Sequence, residues 1–251
     1  MMHLTVLYED EDYVAIDKPT GILVHRTGIS EDDTFLLQQL RRQLRRRIYP
    51  IHRLDRATSG VLIWAKNPEA ASRLGPMFEH RQVQKTYVAV VRGWTADADR
   101  IDYPLAPPDQ PTAPRLPAQT TYRTLARSEM PWHIGNRHTT ARFSLTLARP
   151  ETGRWHQIRR HFAHLRHPII GDRRYGDNKH NRFFREQLNL NRLLLHAWQL
   201  TFQHPKSGLD VCIEAPLEAA FCRALQLLAL HPAGINLLGD RAEPSPPEHY
   251  F

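Results

Sequence analysis

Runs of apolar residues along the chain predict six strand regions and four helices. The strand regions are rich in β-branched and aromatic residues and end at glycine, proline or acidic turns. They lie at 4–21 (two short strands), 61–66, 82–94, 120–129, 139–153 and 193–205. Apolar residues spaced by three and four predict helices at 31–50, 67–80, 155–165 and 217–230. In the second helix, Asn67 is the predicted N-cap and Pro68 the first helical residue.

Strands and helices follow one another in irregular order, without the βαβα alternation of parallel sheets. The predicted fold class is therefore α+β, a mixed and largely antiparallel sheet with flanking helices and loops. Six prolines within 104–117 predict an exposed loop without ladder hydrogen bonds, which we place between two halves of a single domain at 1–242. Residues 243–251 are expected to form a disordered tail.

The composition indicates a globular, basic protein. Hydrophobic residues make up 41% of the 251 residues, which is enough for a sizeable core. Lysine and arginine exceed the acidic residues by 34 to 26, a formal charge of +8 that favours a phosphate-rich partner such as nucleic acid. Two cysteines, no secretory signal pattern and no apolar run of about 18 residues predict a cytoplasmic protein that does not enter a membrane.

The helix predicted at 155–165 separates two neighbouring arginines. At about 100° per residue, its apolar stripe consists of Trp155, Ile158, Phe162 and Leu165. Arg159 lies at the border of this stripe, where a half-buried guanidinium needs a carboxylate or an anionic ligand. Arg160 points the opposite way, so we expect an ordinary surface charge or a phosphate contact.

Histidines 161, 164 and 167 recur at every third position near the end of the same helix. They form no His pair at i and i+4 with a nearby glutamate, and a fourth ligand is not evident. Histidines on the helix surface or facing RNA are therefore favoured over zinc, and no metal is expected.

The segment HRLDRATSG at 52–60 places Asp55 between Arg53 and Arg56. A carboxylate next to arginine stays ionised, which suits a nucleophile or an electrostatic partner better than a general acid. A structural salt bridge or a turn cap is the alternative. Motifs for nucleotide binding or serine hydrolysis are missing from the sequence. The spacing alone favours attack on an electrophilic centre in a base or sugar.

At these residues the chain resembles a known family. HRLDRATSG is similar to the H-R-L-D-x-x-T-S-G signature of the RluA-type pseudouridine synthases. Three further family motifs follow in order, DKPTGILVH at 17–25, QKTYVAVVRG at 84–93 and TGRWHQIRRHFAHLRHPIIGD at 152–172. Arg166 departs from the glycine that is common before HPI. That departure, the segment at 171–184 and the lack of an S4-like module make the resemblance strongest to members that modify uridine 65 in the tRNA T-stem.

The resemblance implies two subdomains around a central RNA-binding cleft and isomerisation of uridine without a cofactor. By this resemblance Asp55 is the catalytic aspartate, Tyr87 lies against the uracil as a candidate general base, and Arg159 keeps Asp55 ionised and aimed. Arg53 is the candidate to fill the gap in the stem, or to bind phosphate, once the target nucleotide flips out. The complete set of candidate RNA or pocket contacts is Arg53, Arg56, Lys85, Arg154, His156, Ile158, Arg173 and Arg174. The expected partner is tRNA or another structured RNA, bound by a monomer.

Several alternatives stay open on the sequence alone. A synthase of the same family could act on rRNA, because loops alone change the target on one fold. A non-catalytic RNA-binding protein or chaperone would use the same basic surface and would not need Asp55. A metal-dependent nuclease would use the histidine cluster. The five arginines within 41–47 are equally consistent with a solvated helix face and with a phosphate-contacting surface.

Overall fold

The computed structural model describes residues 3–24, 35–108, 110, 112–135, 138–232, 235 and 237. Its strands are β1 (Val6–Glu9), β2 (Tyr13–Lys18), β3 (Tyr49–Pro50), β4 (Ser59–Ala65), β5 (Gln84–Arg92), β6 (Ala98–Asp102), β7 (Gln119–Met130), β8 (Ala141–Pro150), β9 (Leu195–Gln203) and β10 (Asp210–Glu214). Its helices are α1 (Leu36–Leu44), α2 (Pro68–Glu79), α3 (Gln157–His164), α4 (Asn178–Gln187) and α5 (Ala219–Leu227).

The strands form one sheet in the order β1-β2-β4-β9-β5-β8-β7-β6, with β3 on β4 and β10 on β9. Within the described residues every strand pair is antiparallel apart from β4 and β9, which run parallel at Ser59 and Gly60. The α+β fold class and the mixed, largely antiparallel sheet are therefore confirmed. Because β9 joins the β1–β4 part to the β5–β8 part, residues distant in sequence meet near its start.

Helices cover both faces of the sheet. Consecutive residues of β5 alternate between a buried cluster shared with α4 and α5 and a second buried cluster shared with α3. Residues of β4 alternate in the same way between clusters formed with α2 and α1. Phe162 of α3 is fully buried in this packing, and burial of such a side chain stabilises the fold by roughly 1.5–3 kcal/mol. The packing fixes α3 against the face of β5 that carries Tyr87.

Three parts of the sequence-based prediction are wrong. The first helix ends at Leu44, because Arg45 is left-handed and Tyr49–Pro50 pairs as a strand. The proline-rich segment does contain a ladder pair, because Leu105 and Leu116 keep their N–H groups and bond to each other; its place between two halves of the domain stays a prediction. Trp155 lies before α3 rather than on it, because the left-handed His156 begins that helix. The residues at 31–34 and 243–251 lie outside the described chain.

The sequence analysis did not predict four elements of the described chain, namely β3, β6, β10 and α4. In α4 only Phe184 is buried, so the apolar periodicity that reveals a helix is missing. Its beginning is instead defined by Asp177, whose side chain accepts hydrogen bonds from the backbone N–H groups of Lys179 and His180. The strands β3 and β10 are short, with two and five residues.

Gly60 provides a test of the junction between β4 and β9. Its φ is +110°, and a Cβ there would lie 2.1 Å from the Ala197 carbonyl oxygen. We therefore expect Gly60→Ala to lower the free energy of unfolding by about 1–3 kcal/mol or more. The matched control is Gly75→Ala in α2, where a Cβ meets nothing within 4 Å, and which should stabilise by up to about 1 kcal/mol. Equal urea midpoints for the two variants would contradict this account of the junction.

Candidate active site

A cavity of about 1140 Å³ lies between the segment before β4, the start of β5 and the segment that enters α3. This volume is somewhat above the range of about 300–1,000 Å³ that is usual for small-molecule sites. Its charged wall residues are the cationic Arg53, Arg81, Lys85, Arg149, Arg154 and Arg159 and the anionic Asp55, Glu79 and Glu151. The excess of positive charge makes the cavity suited to a group that carries phosphate. Arg81 and Arg149 were missed by the sequence reasoning because they lie outside its motifs.

Asp55 and Arg159 meet in this cavity although they are 104 residues apart. Asp55 lies in the turn before β4, where the Thr58 N–H donates to its carbonyl at 3.1 Å. Arg159 Nη1 donates to Asp55 Oδ2 at 3.1 Å. The Arg159 residue is 8% exposed, so it is more buried than its position on the helical wheel suggested. The helix border was nevertheless the feature that indicated a carboxylate partner.

A second carboxylate, which the sequence reasoning missed, holds the same guanidinium. Asp172 accepts from Arg159 Nε at 2.8 Å and from Nη2 at 2.9 Å, which is the bidentate geometry of a strong pair. Burial acts to raise the pKa of Asp172, but the hydrogen bonds and charge of Arg159 outweigh it and lower that pKa. Asp172 ends the HPIIGD segment, and no local pattern signals its contact with α3. These two hydrogen bonds hold one side of the Arg159 guanidinium, and Nη1 on its other side donates to Asp55.

Tyr87, Lys85 and Ile158 line the cavity from two elements. Tyr87 and Lys85 lie two residues apart on β5 and so share a face of the strand. Burial and the nearby charge of Asp55 raise the pKa of Tyr87, so its hydroxyl is protonated at neutral pH. Burial lowers the pKa of Lys85. Ile158, on α3, is buried and contributes an apolar part of the wall.

Lys18 anchors the turn that carries Asp55. It is fully buried, and its Nζ donates to the carbonyl oxygens of Pro19, Arg56 and Thr58 at 3.0, 3.1 and 2.7 Å. Burial lowers the pKa of Lys18 to about 7, while three carbonyl acceptors match the three donors of its ammonium form. Two of these carbonyls flank the turn after Asp55, so Lys18 fixes the path of the backbone there.

Arg53 and Arg154 both line the cavity. Arg53 is exposed, and Arg154 is partly buried with its Nε donating to the Pro117 carbonyl at 3.2 Å. Both side chains are therefore accessible from the cavity, and a role for them with RNA stays a prediction.

Arg56, Arg173 and Arg174 are exposed and lie outside the cavity wall. Arg56 Nε donates to the Gly21 carbonyl at 2.9 Å. Arg173 Nη2 donates to Asn191 Oδ1 at 2.9 Å. Any role of these three arginines with RNA concerns the surface around the cavity and stays a prediction.

The arginine run at 41–47 is remote from Asp55. Arg46 donates to the carbonyl of Lys66, just beyond the end of β4, whereas Asp55 precedes the beginning of that strand. Seven residues of strand span roughly 20 Å. Arg41 donates to the Ile48 carbonyl at 3.0 Å. Two of the five arginines thus bind backbone carbonyls near the end of α1.

The histidines after Arg159 have separate partners. His161 is fully buried, between the Thr120 hydroxyl at 2.9 Å and the Tyr103 carbonyl at 3.0 Å. The expectation of a surface or RNA-facing position is wrong for His161, because α3 packs that side chain onto β7. His164 stacks on the Tyr103 ring, and His167 faces a backbone carbonyl. Among the described residues, no three His, Cys, Asp or Glu side chains converge as a metal site.

Arg160 also differs from expectation. It is partly buried, and its Nη1 donates to the Ala106 carbonyl at 2.9 Å. The β6–β7 connection lies against this side of α3 at Ala106, so the predicted solvent face is partly covered. A helical wheel places only the residues of the helix itself, so it does not show that another segment contacts Arg160.

The comparison with known proteins assigns the class of this fold and site. The model of the family described as RNA pseudouridylate synthase matches residues 12–164, which include Asp55, Tyr87 and Arg159. The chain belongs to this family.

Individual relatives are consistent with that assignment. The chain is 45% identical to tRNA pseudouridine synthase C of Vibrio cholerae over 224 residues, 86% of this chain and 91% of the relative. It is also 45% identical to the protein of that name from Haemophilus ducreyi, over 86% of this chain and 92% of the relative. The fold resembles human RNA Pseudouridylate Synthase Domain Containing 1 (TM-score 0.69, 24% identity, 92% and 96% of the two chains) and Domain Containing 4 (0.70, 24%, 90% and 93%).

The described part of the chain contains no helix that is both long and apolar enough to cross a bilayer.

Proposed function

We propose that this protein converts a uridine of tRNA, at position 65, into pseudouridine, with Asp55 as the catalytic aspartate and without a cofactor. The observation that carries the proposal is the Asp55 carboxylate, held by Arg159 in a basic cavity large enough for a nucleotide. The relatives named tRNA pseudouridine synthase C support tRNA as the substrate class. The position within tRNA rests on the family resemblance of the motifs.

The reaction is an isomerisation, so its atoms and electrons balance without a co-substrate. The N1–C1′ glycosidic bond breaks, the uracil turns, and a C5–C1′ bond forms. The proton leaves C5, and N1 ends with a proton. The protein therefore has to supply a group that assists glycosidic cleavage, a cavity in which the base can turn, and a proton acceptor for C5.

Asp55 is the group proposed to assist cleavage. Arg159 holds one carboxylate oxygen by a charge-assisted hydrogen bond, which fixes the orientation of the carboxylate in the cavity. Because Asp172 pins the same guanidinium, Arg159 loses little further freedom when substrate binds.

Tyr87 is proposed to act after Asp55. In the free enzyme its hydroxyl is protonated, because burial and the charge of Asp55 both raise its pKa. A step that neutralises Asp55, such as bond formation to the sugar or base, removes one of these causes. The hydroxyl can then pass its proton to N1 of the detached uracil, and the phenolate so formed accepts the C5 proton, whereas before that step the ring serves as a wall for the uracil.

Entry of the base requires flipping, because a uridine within a stem does not reach Asp55 otherwise. Arg53 is exposed at the cavity. It is proposed to occupy the gap that the flipped nucleotide leaves in the stem, or to contact the phosphate of that nucleotide. The cationic wall residues Arg81, Lys85, Arg149 and Arg154 are the proposed phosphate contacts around it.

Pseudouridine mapping tests this proposal. We expect RNA from cells without the gene to lose pseudouridine at tRNA position 65, and a plasmid copy of the gene to restore it. A site lost from rRNA while tRNA position 65 stays modified would overturn the proposed substrate. Unchanged pseudouridine in both RNA classes, together with RNA binding by the purified protein, would favour the non-catalytic alternative.

A further inference from the structure

His156 has an unusual backbone conformation next to Asp55. Its φ and ψ are 51° and 29°, in the left-handed region, and it begins α3 without a side-chain capping bond. Left-handed residues other than glycine are uncommon and occur often at functional sites. The conformation turns the imidazole toward the cavity, where it forms part of the wall.

Three aromatic and cationic groups fix the plane of this imidazole. The His156 ring stacks on the Trp155 ring with centroids 3.6 Å apart and planes 15° apart. The Arg174 guanidinium lies 4.6 Å from the centre of the Trp155 ring. The Tyr175 ring meets His156 edge to face at 5.6 Å. The imidazole is therefore held in one orientation before substrate arrives.

In that orientation both ring nitrogens face a polar partner. Nε2 lies 3.5 Å from Asp55 Oδ2, and Nδ1 lies 3.2 Å from the Tyr175 hydroxyl. Asp55 Oδ2 is also the oxygen that accepts from Arg159. Both contacts thus converge on one oxygen of the carboxylate.

The protonation of the partners selects the tautomer. Burial lowers the pKa of His156 to about 4 although the charge of Asp55 acts in the opposite direction, so the imidazole is neutral and carries one N–H. Burial also raises the pKa of Tyr175, which keeps its O–H. If Tyr175 donates to Nδ1, the imidazole N–H is on Nε2, which lies 3.5 Å from Asp55 Oδ2, a distance at which the N–H acts on the carboxylate as an electrostatic contact rather than a formed hydrogen bond. The other tautomer would direct a lone pair at a negative charge.

We propose that His156 is a positioning residue: Tyr175 donates to His156 Nδ1, and His156 Nε2–H, together with Arg159, holds Oδ2 of Asp55, so that Oδ1 is the oxygen that reacts. This inference rests on the proposed catalytic role of Asp55. It assigns His156 to the carboxylate rather than to RNA, and it gives Tyr175 a role that the motifs did not suggest.

The test measures kcat, KM and RNA affinity with tRNA that carries tritium at uridine C5. We expect His156→Ala to lower kcat by about 100-fold, the cost of a misplaced catalytic group, with KM and RNA affinity within a factor of two. His156→Gln, whose amide N–H can replace Nε2–H, should recover about tenfold of that loss. Both substitutions share the cost of the left-handed backbone, so their difference reports on the donor. Tyr175→Phe, which keeps the ring, should lower kcat by about tenfold.

A matched control uses a second stacked histidine, which lies on α3 itself. His164 stacks on Tyr103 at 3.6 Å and lies outside the cavity wall, so His164→Ala should leave kcat unchanged. A rise in KM or loss of RNA affinity in His156→Ala with unchanged kcat would overturn the positioning role in favour of RNA binding. Equal rates for the Ala and Gln variants would also overturn it. Turnover by Asp55→Asn would instead overturn the proposed function, so the two failures are distinguishable.

Discussion

Asp55→Asn is expected to lower the rate of pseudouridine formation by at least about 1,000-fold, because it removes the one group proposed to assist glycosidic cleavage. The amide is nearly isosteric with the carboxylate, so it keeps the turn before β4 and can still accept from Arg159. The neutral amide lacks the negative charge that the carboxylate would use to attack the sugar or base, or to stabilise a cationic sugar. Affinity for tRNA should be retained, because the cationic wall that contacts phosphate is unchanged.

Tritium release from tRNA labelled at uridine C5 measures this loss directly, and filter binding at fixed salt measures the affinity. Asp210→Asn is the control, because Asp210 is exposed at the start of β10, outside the cavity wall. Turnover by Asp55→Asn at the wild-type rate would exclude Asp55 from the mechanism. It would leave RNA binding as the function of the basic cavity.

Arg159→Ala is expected to abolish most activity and to reduce the free energy of unfolding by about 3–5 kcal/mol, the cost of leaving a buried charge unpaired. Asp172 is 1% exposed and depends on this guanidinium for two hydrogen bonds. Arg159→Lys keeps the charge but not the planar fork, so it should recover only part of the stability. Arg160→Ala is the neighbouring control, since the hydrogen bond that it removes within the described part of the chain goes to the Ala106 backbone carbonyl and not to a carboxylate.

The same pair predicts a pH dependence. Burial opposes ionisation of Asp172, but Arg159 outweighs it and places the folded-state pKa below the ordinary value. The stabilisation by Asp172 is therefore present above its unfolded pKa, about 3.9, and is lost as pH falls through the lower folded pKa. In urea titrations, Asp172→Asn should be less stable than wild type at pH 7, and the gap should narrow below about pH 4. A gap that stays constant with pH, or an Arg159→Ala variant as stable as Arg160→Ala, would contradict the pair.

The strands were predictable because each of the long ones carries its own local pattern. β5 and β8 alternate or run apolar for nine and ten residues, and that pattern survives in any context in which one face is buried. α4 was not predictable, because it buries a single phenylalanine and its boundary depends on a capping side chain. The prediction that the helix at 155–165 includes Trp155 was wrong for a related reason. A single left-handed residue, His156, changes the direction of the chain, and residue periodicity does not record backbone dihedral angles.

The sequence by itself determined the fold class and the need of Arg159 for an anion, because these follow from periodicity and from charge placed on an apolar border. The family motifs were also readable from the sequence, as a resemblance carried by consecutive residues. Tertiary structure decided which groups meet. Asp172 on Arg159, His156 and Tyr175 beside Asp55, and the burial of His161 all depend on contacts between segments far apart in the chain or on the packing of α3 against the sheet. Such contacts carry no local periodicity. They arise when the two parts of the sheet meet at β9 and bring separate turns around one cavity.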